Sequence, residues 1–393
     1  MSLERAIGTY GTSRPGPTIV ALGGIHGNEP AGARAIEAVL HELRSRALPL
    51  RGHFVGLRGN LGALAAGRRY LARDLNRSWS APDIERLLRS SGEPRDEDLE
   101  QRALLEQFVP WMRAARRPIV FLDLHSTSGP GAPFTCMADV LRNRPVALAL
   151  PVPLILGIEE LLDGSLLGYA SDLGHTALAV EGGQNEDPRT EANHRAALWL
   201  ALAATGALAA SEIGDLDAQR AVLRDAARGL PAVVEIRYRH AVRDGDGFEM
   251  LPGFSNFTPL RRGQVVARDR DGPVRAPEDG LMLMPRYQSQ GDDGWFLARR
   301  VSRAWLALSA LLRHARVDRL VPLLPGVRRH PELPDHFVAD PRVARYQVRN
   351  VFHLLGYRHE RRQGEALVFA RRRPGFRGLR ELPAELRELG TSA

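Results

Sequence analysis

The chain has 393 residues, of which 44% are hydrophobic, and this length suggests two or three domains. Its single cysteine, Cys136, excludes an internal disulfide framework and favours a reducing compartment, so we expect a cytoplasmic location. The formal net charge is +8, but every one of the 54 basic residues is arginine, which indicates a coding bias rather than a recognition surface. We expect no secretory signal in the N-terminal stretch, and no membrane span, because the longest apolar run, 196–210, is too short.

The first half of the chain alternates predicted strands with predicted helices. Buried strands are predicted at 17–22, 53–57, 117–125, 152–158 and 176–183, and helices at 30–47, 98–115 and 191–210. This alternation predicts an α/β domain with a largely parallel or mixed sheet over residues 1–210.

The second half of the chain has a different sequence pattern. From residue 231, short strands are separated by Asp-Gly turns, which predicts a small β-rich domain over 211–312, ending in a helix at about 298–314. Residues 313–393 hold 17 Arg against 9 Asp and Glu, an excess of +8. An apolar face on a predicted helix at 342–355, followed by a predicted hairpin, indicates a folded accessory module rather than a disordered basic arm.

The strongest chemical signal is the segment GGIHGNEP, at 23–30, between a predicted strand and a predicted helix. His26 and Glu29 are three residues apart in a glycine-rich turn, so both side chains can face one point. His125 ends another strand, and Asp123 lies on the same face of that strand as a hydrogen-bond partner. Two imidazoles and one carboxylate leave a fourth position open for water, which is typical of catalytic zinc.

Two further segments carry candidate active-site groups. In RRYLARDLNRSW, at 68–79, the cluster of Arg69, Asn76 and Arg77 has the groups needed to bind a carboxylate and polarise a carbonyl. Glu181 ends the apolar strand TALAVEGG, where a carboxylate is costly unless it is paired or used. Beside a metal, Glu181 could take a proton from bound water.

Together the segments GGIHGNEPAG, RYLARDLNR, DLHST and VEGGQ resemble the succinylglutamate desuccinylase/aspartoacylase family, over roughly residues 17–312. The resemblance implies a zinc carboxypeptidase-like fold: an α/β domain whose mixed sheet is flanked by helices, with a small β-rich second domain. To these the chain adds a C-terminal α+β extension.

The resemblance also implies a role for each matching residue. One zinc ion per chain would be held by His26, Glu29 and His125. Glu181 would be the general base, Arg69 would polarise the scissile carbonyl, and Asn76 with Arg77 would bind the substrate carboxylate. Aspartoacylases carry a further arginine ten residues before the base, where this chain has Ser171. That difference argues against N-acetylaspartate as the substrate.

The sequence therefore predicts a zinc-dependent amide hydrolase that removes an acyl group from an N-acyl amino acid or a related small amide. A zinc carboxypeptidase acting on short peptides is the alternative, because the parent fold shares the metal-binding pattern. A nucleic-acid binder built on an inactive hydrolase is less consistent with the intact set of catalytic residues. No membrane partner is expected, and a homo-oligomer is left open.

Overall fold

The computed structural model describes residues 3–89, 95–333, 336–340, 342–343, 348–363 and 366–371. The strands are β1 (Ala6–Gly11), β2 (Thr18–Gly23), β3 (His53–Arg58), β4 (Val120–Thr127), β5 (Phe134–Met137), β6 (Leu154–Leu156), β7 (Thr176–Gln184), β8 (Val233–Ala241), β9 (Glu249–Met250), β10 (Pro259–Leu260), β11 (Val265–Asp269), β12 (Gly272–Arg275), β13 (Gly280–Leu283), β14 (Asp293–Arg300), β15 (Val327–Arg329), β16 (His336–Ala339), β17 (Tyr357–Gln363) and β18 (Ala366–Arg371).

The α-helices are α1 (Ala31–Ser45), α2 (Leu61–Ala66), α3 (Ala81–Arg89), α4 (Glu97–Ala114), α5 (Arg144–Ala149), α6 (Leu166–Asp172), α7 (Pro188–Ala204), α8 (Ala210–Ile213), α9 (Leu216–Ala226), α10 (Arg303–His314) and α11 (Val348–Leu355). Short 3-10 helices cover Leu75–Arg77, Ile158–Glu160 and Val317–Leu323. In the part of the chain that the structure describes, no helix is both long enough and apolar enough to cross a membrane.

One large mixed sheet forms the centre of the molecule, with strand order β1-β3-β2-β4-β7-β5-β6-β8-β14-β13-β10. Strands β3, β2, β4 and β7 are parallel, and β5 returns antiparallel to β7. The central strands are nearly continuous runs of buried apolar residues because helices cover both faces of the sheet. Helices α1 and α7 pack on one face, and α4 and α6 pack on the other. The predicted α/β fold with a mixed sheet is therefore confirmed.

Most predicted elements are observed within a few residues of their expected limits, and the differences have local causes. The helix predicted at 191–210 begins at Pro188, because the Asp187 side chain caps its first turn. It ends at Ala204, shortly before Gly206 turns the chain in the left-handed region (φ 74°). The helix predicted at 298–314 begins at Arg303, because β14 continues to Arg300. Strand β1 was not predicted.

The β-rich segment after residue 231 is continuous with the large sheet. Strand β8 pairs in parallel with β6, and β14 then pairs antiparallel with β8. A separate three-stranded sheet of β12, β11 and β9 packs beside it. The domain limits at 210 and 312 stay predictions, since hydrogen bonds of one sheet join both sides of the first limit.

The C-terminal segment folds around a four-stranded sheet, β15-β16-β18-β17, that includes the predicted hairpin. Helix α11 covers the second half of the helix predicted at 342–355, while residues 344–347 lie outside the described residues. Phe352 of α11 stacks on Phe369 of β18 with ring centroids 4.2 Å apart, and both rings are fully buried. In its described part, the apolar face of the helix is therefore buried against the hairpin strand.

Buried ion pairs join this C-terminal segment to the large sheet. Arg358 of β17 is only 6% exposed. It contacts three carboxylates, those of Asp139 at 2.8 Å, Glu160 at 3.0 Å and Glu235 at 3.0 Å. Arg313 of α10 also donates to Asp139, at 2.8 Å. Although burial alone would raise it, the pKa of Asp139 lies well below its usual range because these guanidinium groups stabilise its charge.

Candidate active site

The carboxyl ends of β2, β4 and β7 meet at one edge of the sheet, where α/β proteins usually bind ligands. The loop after β2 carries His26 and Glu29, β4 carries His125, and β7 carries Glu181. His125 and Glu181 are paired in the parallel ladder, so their side chains start from neighbouring positions. The loop after β2 approaches helix α2 so closely that a Cβ on Gly27 would lie 2.0 Å from the Ala63 carbonyl carbon. Only glycine fits there.

The three predicted metal ligands form one compact, buried cluster. One ligand atom from each of His26, Glu29 and His125 lies within 4.8 Å of the other two. His26 Nδ1 lies 3.0 Å from Glu29 Oε1, and His125 Nδ1 lies 3.0 Å from Glu29 Oε2. All three residues are at most 6% exposed. Despite this burial, the neighbouring histidines hold the pKa of Glu29 well below its usual range, so its carboxylate form is favoured.

Two aspartates hold the histidine rings from behind. His26 Nε2 lies 3.1 Å from Asp74 Oδ1, and His125 Nε2 lies 2.9 Å from Asp123 Oδ2. Both imidazoles therefore present Nδ1 to the cluster while the other nitrogen is bound to a carboxylate, an arrangement typical of metal-binding histidines. Asp123 was predicted in this position, whereas Asp74 was not.

Glu181 lies beside this cluster and is half-buried. Burial raises its pKa to about 7, with a further contribution from the charge of Glu29, while His125 opposes the shift. Its Oε2 atom has no hydrogen-bond partner among the residues that the structure describes. A carboxylate with a raised pKa and one buried oxygen that has no hydrogen-bond partner among the described residues is suited to proton transfer near neutral pH.

The arginines of the segment 68–79 are placed by acidic partners. Arg69 donates to Asp74 at 3.1 Å and to Glu29 at 3.3 Å, which brings its guanidinium to the cluster. Arg77 donates to Asp293 of β14 at 2.7 Å. Sequence reasoning did not predict Asp293, because it lies in a distant segment without a recognisable pattern.

Asn76 is fixed by its neighbours on two sides. Its side-chain oxygen accepts a hydrogen bond from the Leu166 backbone N–H at 2.9 Å, and its Nδ2 lies 3.4 Å from His125 Nε2. Ser171, where aspartoacylases have an arginine, is fully buried in α6. The cleft is instead lined by Ser165, Leu167 and Gly168, from the start of this segment.

All seven predicted site residues line a single cleft that opens to solvent: His26, Glu29, Arg69, Asn76, Arg77, His125 and Glu181. Its opposite wall comes from β14 and the loop before it, through residues such as Arg286, Gln288 and Asp293. A further buried carboxylate, that of Glu159, also lines the cleft and was not predicted. The geometry thus combines a cluster able to hold a metal with two further glutamates, Glu159 and Glu181, and three arginines, Arg69, Arg77 and Arg286, around one space.

Comparison with known proteins gives consistent matches. Residues 15–156 match the succinylglutamate desuccinylase/aspartoacylase catalytic domain. The chain is 35% identical over 274 residues to a succinylglutamate desuccinylase of Burkholderia lata, a match that covers 65% of this chain and 70% of that protein. A succinylglutamate desuccinylase of Burkholderia pseudomallei is 28% identical over 264 residues, covering 65% of this chain and 71% of the relative.

Solved structures show the same fold. The succinylglutamate desuccinylase/aspartoacylase of Rhodobacter sphaeroides has a TM-score of 0.53 and 18% identity, covering 75% of this chain and 88% of that one. The product-bound ectoine utilization protein EutE (DoeB) of Ruegeria pomeroyi has a TM-score of 0.52 and 20% identity, covering 74% and 87%. With the matches in sequence, these findings establish that the chain belongs to the succinylglutamate desuccinylase/aspartoacylase family of hydrolases.

Proposed function

We propose that this chain is a zinc-dependent deacylase that hydrolyses the amide bond of an N-acyl amino acid or a related small amide. The observation that carries the proposal is the convergence of His26, Glu29 and His125, whose ligand atoms lie within 4.8 Å of one another in a buried position. Two imidazoles and one carboxylate are the donor set of catalytic zinc sites, which keep one position open for water or substrate.

The residues around this cluster fit a bound divalent cation. Asp74 and Asp123 fix the two rings so that both Nδ1 atoms face Glu29. The Arg69 guanidinium and the Ser126 backbone N–H already donate to Glu29, and a cation between the three ligand groups would further offset the cost of burying these ionisable groups. Zinc bound there would supply a Lewis acid and would lower the pKa of a bound water to about 7.

The remaining side chains have complementary roles in the proposed reaction. Glu181 takes a proton from the attacking water and passes it to the nitrogen of the leaving amine. Arg69 lies within 3.3 Å of Glu29 and polarises the scissile carbonyl, where negative charge develops.

Asn76 and Arg77 are proposed to bind the carboxylate of the substrate. Arg77 already donates to Asp293, so a substrate carboxylate would share a guanidinium that has been neutralised in part. The fully buried Ser171 adds no cation. Monocarboxylic N-acyl amino acids, or those with neutral or cationic side chains, should therefore be hydrolysed better than N-acetylaspartate.

Metal analysis and an activity screen test the proposal together. Protein purified without added metal should contain close to one zinc per chain and should release amine from some member of a panel of N-acyl amino acids. His125→Ala should lose most of the zinc, whereas His41→Ala, on the exposed side of α1, should retain it. Full zinc content in the His125 variant would exclude this ligand set.

A further inference from the structure

We propose that Glu159 is a specificity-determining residue that receives a cationic group of the substrate. The preferred substrate would then be an N-acyl amino acid whose side chain ends in an amine or a guanidine. This inference rests on the proposed deacylase function and names the substrate class of the same cleft.

Glu159 lies in the 3-10 turn Ile158–Glu160, is 7% exposed and lines the cleft. Its Oε1 accepts a hydrogen bond from the Asp139 backbone N–H at 2.9 Å. Its Oε2 is buried and has no hydrogen-bond partner within the described ranges. A buried carboxylate oxygen without a hydrogen-bond donor costs free energy. Beside a ligand cleft, such an oxygen indicates that the ligand itself supplies the donor.

The neighbouring acidic groups do not share this situation. Glu160 points to Arg358 at 3.0 Å, and Asp139 and Glu235 are each bound by arginine. Among the described residues, no arginine or histidine side chain forms an ion pair within 4.0 Å of the Glu159 carboxylate, although the charge of Glu159 also acts on Arg358 from farther away. The ion pairs behind the turn therefore form without Glu159, which lines the cleft.

The wall between the reacting centre and Glu159 suits an aliphatic chain. Phe134 of β5 pairs with Glu181. Cys136 lies two residues farther along β5, so it is roughly 6–7 Å from Phe134. Cys136, Glu181 and Glu159 line the same cleft. Burial raises the pKa of the Cys136 thiol, and the charges of both carboxylates add to this shift. Ile158, Leu162 and Leu167 complete an apolar lining. A side chain of several methylene groups with a terminal cation matches this path.

The carboxylate also disfavours acidic side chains. An acidic side chain in this part of the cleft would meet Glu159, and burial would strengthen the repulsion between the two charges. Ser171 provides no compensating cation, since it is fully buried in α6. Selectivity for cationic over acidic side chains would therefore include a repulsive element as well as an attractive one.

A matched set of substrates tests the inference on the full-length, zinc-loaded protein. Nα-acetylornithine and Nα-acetylnorleucine differ only in a terminal ammonium against a methyl group, and N-acetylglutamate carries an acidic side chain. We expect kcat/KM for the ornithine compound to exceed that for the norleucine compound by about 10- to 100-fold, the usual scale for a hydrogen bond to a charged group. Equal values, or a preference for N-acetylglutamate, would overturn the inference without any variant.

Glu159→Gln should remove this preference, mainly through KM, and should leave Nα-acetylnorleucine hydrolysis nearly unchanged. Glu160→Gln is the matched control, because Glu160 is the neighbouring acidic residue and is bound by Arg358. The control should retain the preference. An equal loss on all three substrates in Glu159→Gln would indicate a structural role and would contradict the proposal.

Failure of the proposed function would be distinguishable. If no compound in the set releases amine, calorimetry on the same protein still compares the binding of Nα-acetylornithine and Nα-acetylnorleucine. Tighter binding of the ornithine compound that depends on Glu159 would support the inference while the hydrolytic function fails. Equal binding of the two compounds would overturn the inference.

Discussion

Removal of the Arg358 guanidinium should destabilise the protein without touching the proposed zinc site. Arg358→Met retains much of the volume and the apolar stem of the side chain, but deletes the cation that contacts Asp139, Glu160 and Glu235. Because Arg358 is only 6% exposed, water cannot replace its hydrogen bonds. The variant therefore leaves buried carboxylates with fewer partners.

The magnitude follows from what each carboxylate retains. Breaking a buried ion pair costs about 3–5 kcal/mol when the partner charge is left bare. Asp139 keeps Arg313 and Arg144 at 2.8 Å each, and Glu235 keeps Arg299 at 2.8 Å. The cost should therefore lie near the lower limit, about 3 kcal/mol. With about 2.1 cal/mol/K per residue, a chain of 393 residues that unfolds as one unit should lose about 4 °C in Tm.

Thermal unfolding of the purified variants measures this change directly, and zinc content serves as a second readout. Arg189→Met is the control, because Arg189 pairs with Asp187 at the surface and its side chain is 85% exposed. Its Tm should match that of the unmodified protein. A Tm for Arg358→Met within 1 °C of that control would refute the reasoning that buried ion pairs hold the C-terminal segment.

The remaining predictions concern Glu181 and the C-terminal segment. Glu181→Gln keeps the shape of the side chain but removes the base, so turnover should fall at least about 100-fold with zinc content unchanged; near-normal turnover would assign the proton transfer to another group. Activity should fall as pH decreases because only the carboxylate form of Glu181 accepts a proton. Burial raises its pKa to about 7 from 4.5, and a bound cation would lower it. The acid limb of the pH–rate profile should therefore lie between pH 4.5 and about pH 7. A flat profile over this pH range would exclude Glu181 as the base. A chain ending at residue 315 keeps every proposed zinc ligand but loses Arg358, so it should retain zinc with a lower Tm; loss of zinc would show that the C-terminal segment supports the ligands.

The metal cluster was predictable because its residues are marked locally. His26 and Glu29 share one glycine-rich turn, and His125 ends a strand that is recognisable from its apolar run. Parallel strands place their carboxyl ends at one edge, so these local signals also predict proximity.

The partners of these residues depend on long-range contacts and could not be predicted in the same way. Asp74 is only two residues before Asn76, yet it also contacts His26, 48 residues away. Asp293 meets Arg77 across 216 residues, because its strand β14 enters the sheet between β8 and β13, far along the chain from Arg77. Strand β1 was missed for a different reason: it lies at the sheet edge and none of its six residues is buried, so its apolar pattern is weak.

The buried contacts of Arg358 also constrain how this protein can diverge. Asp139, Glu160 and Glu235 lie in the first 240 residues, but the cation they share comes from the last tenth of the chain. A lineage that lost the C-terminal segment while keeping all three acids would retain buried charge with fewer partners, so selection should replace them together. In relatives without such a segment, we therefore expect neutral residues, or an arginine from another element, at the three corresponding positions. The segment and these acids should be gained and lost in evolution as one unit.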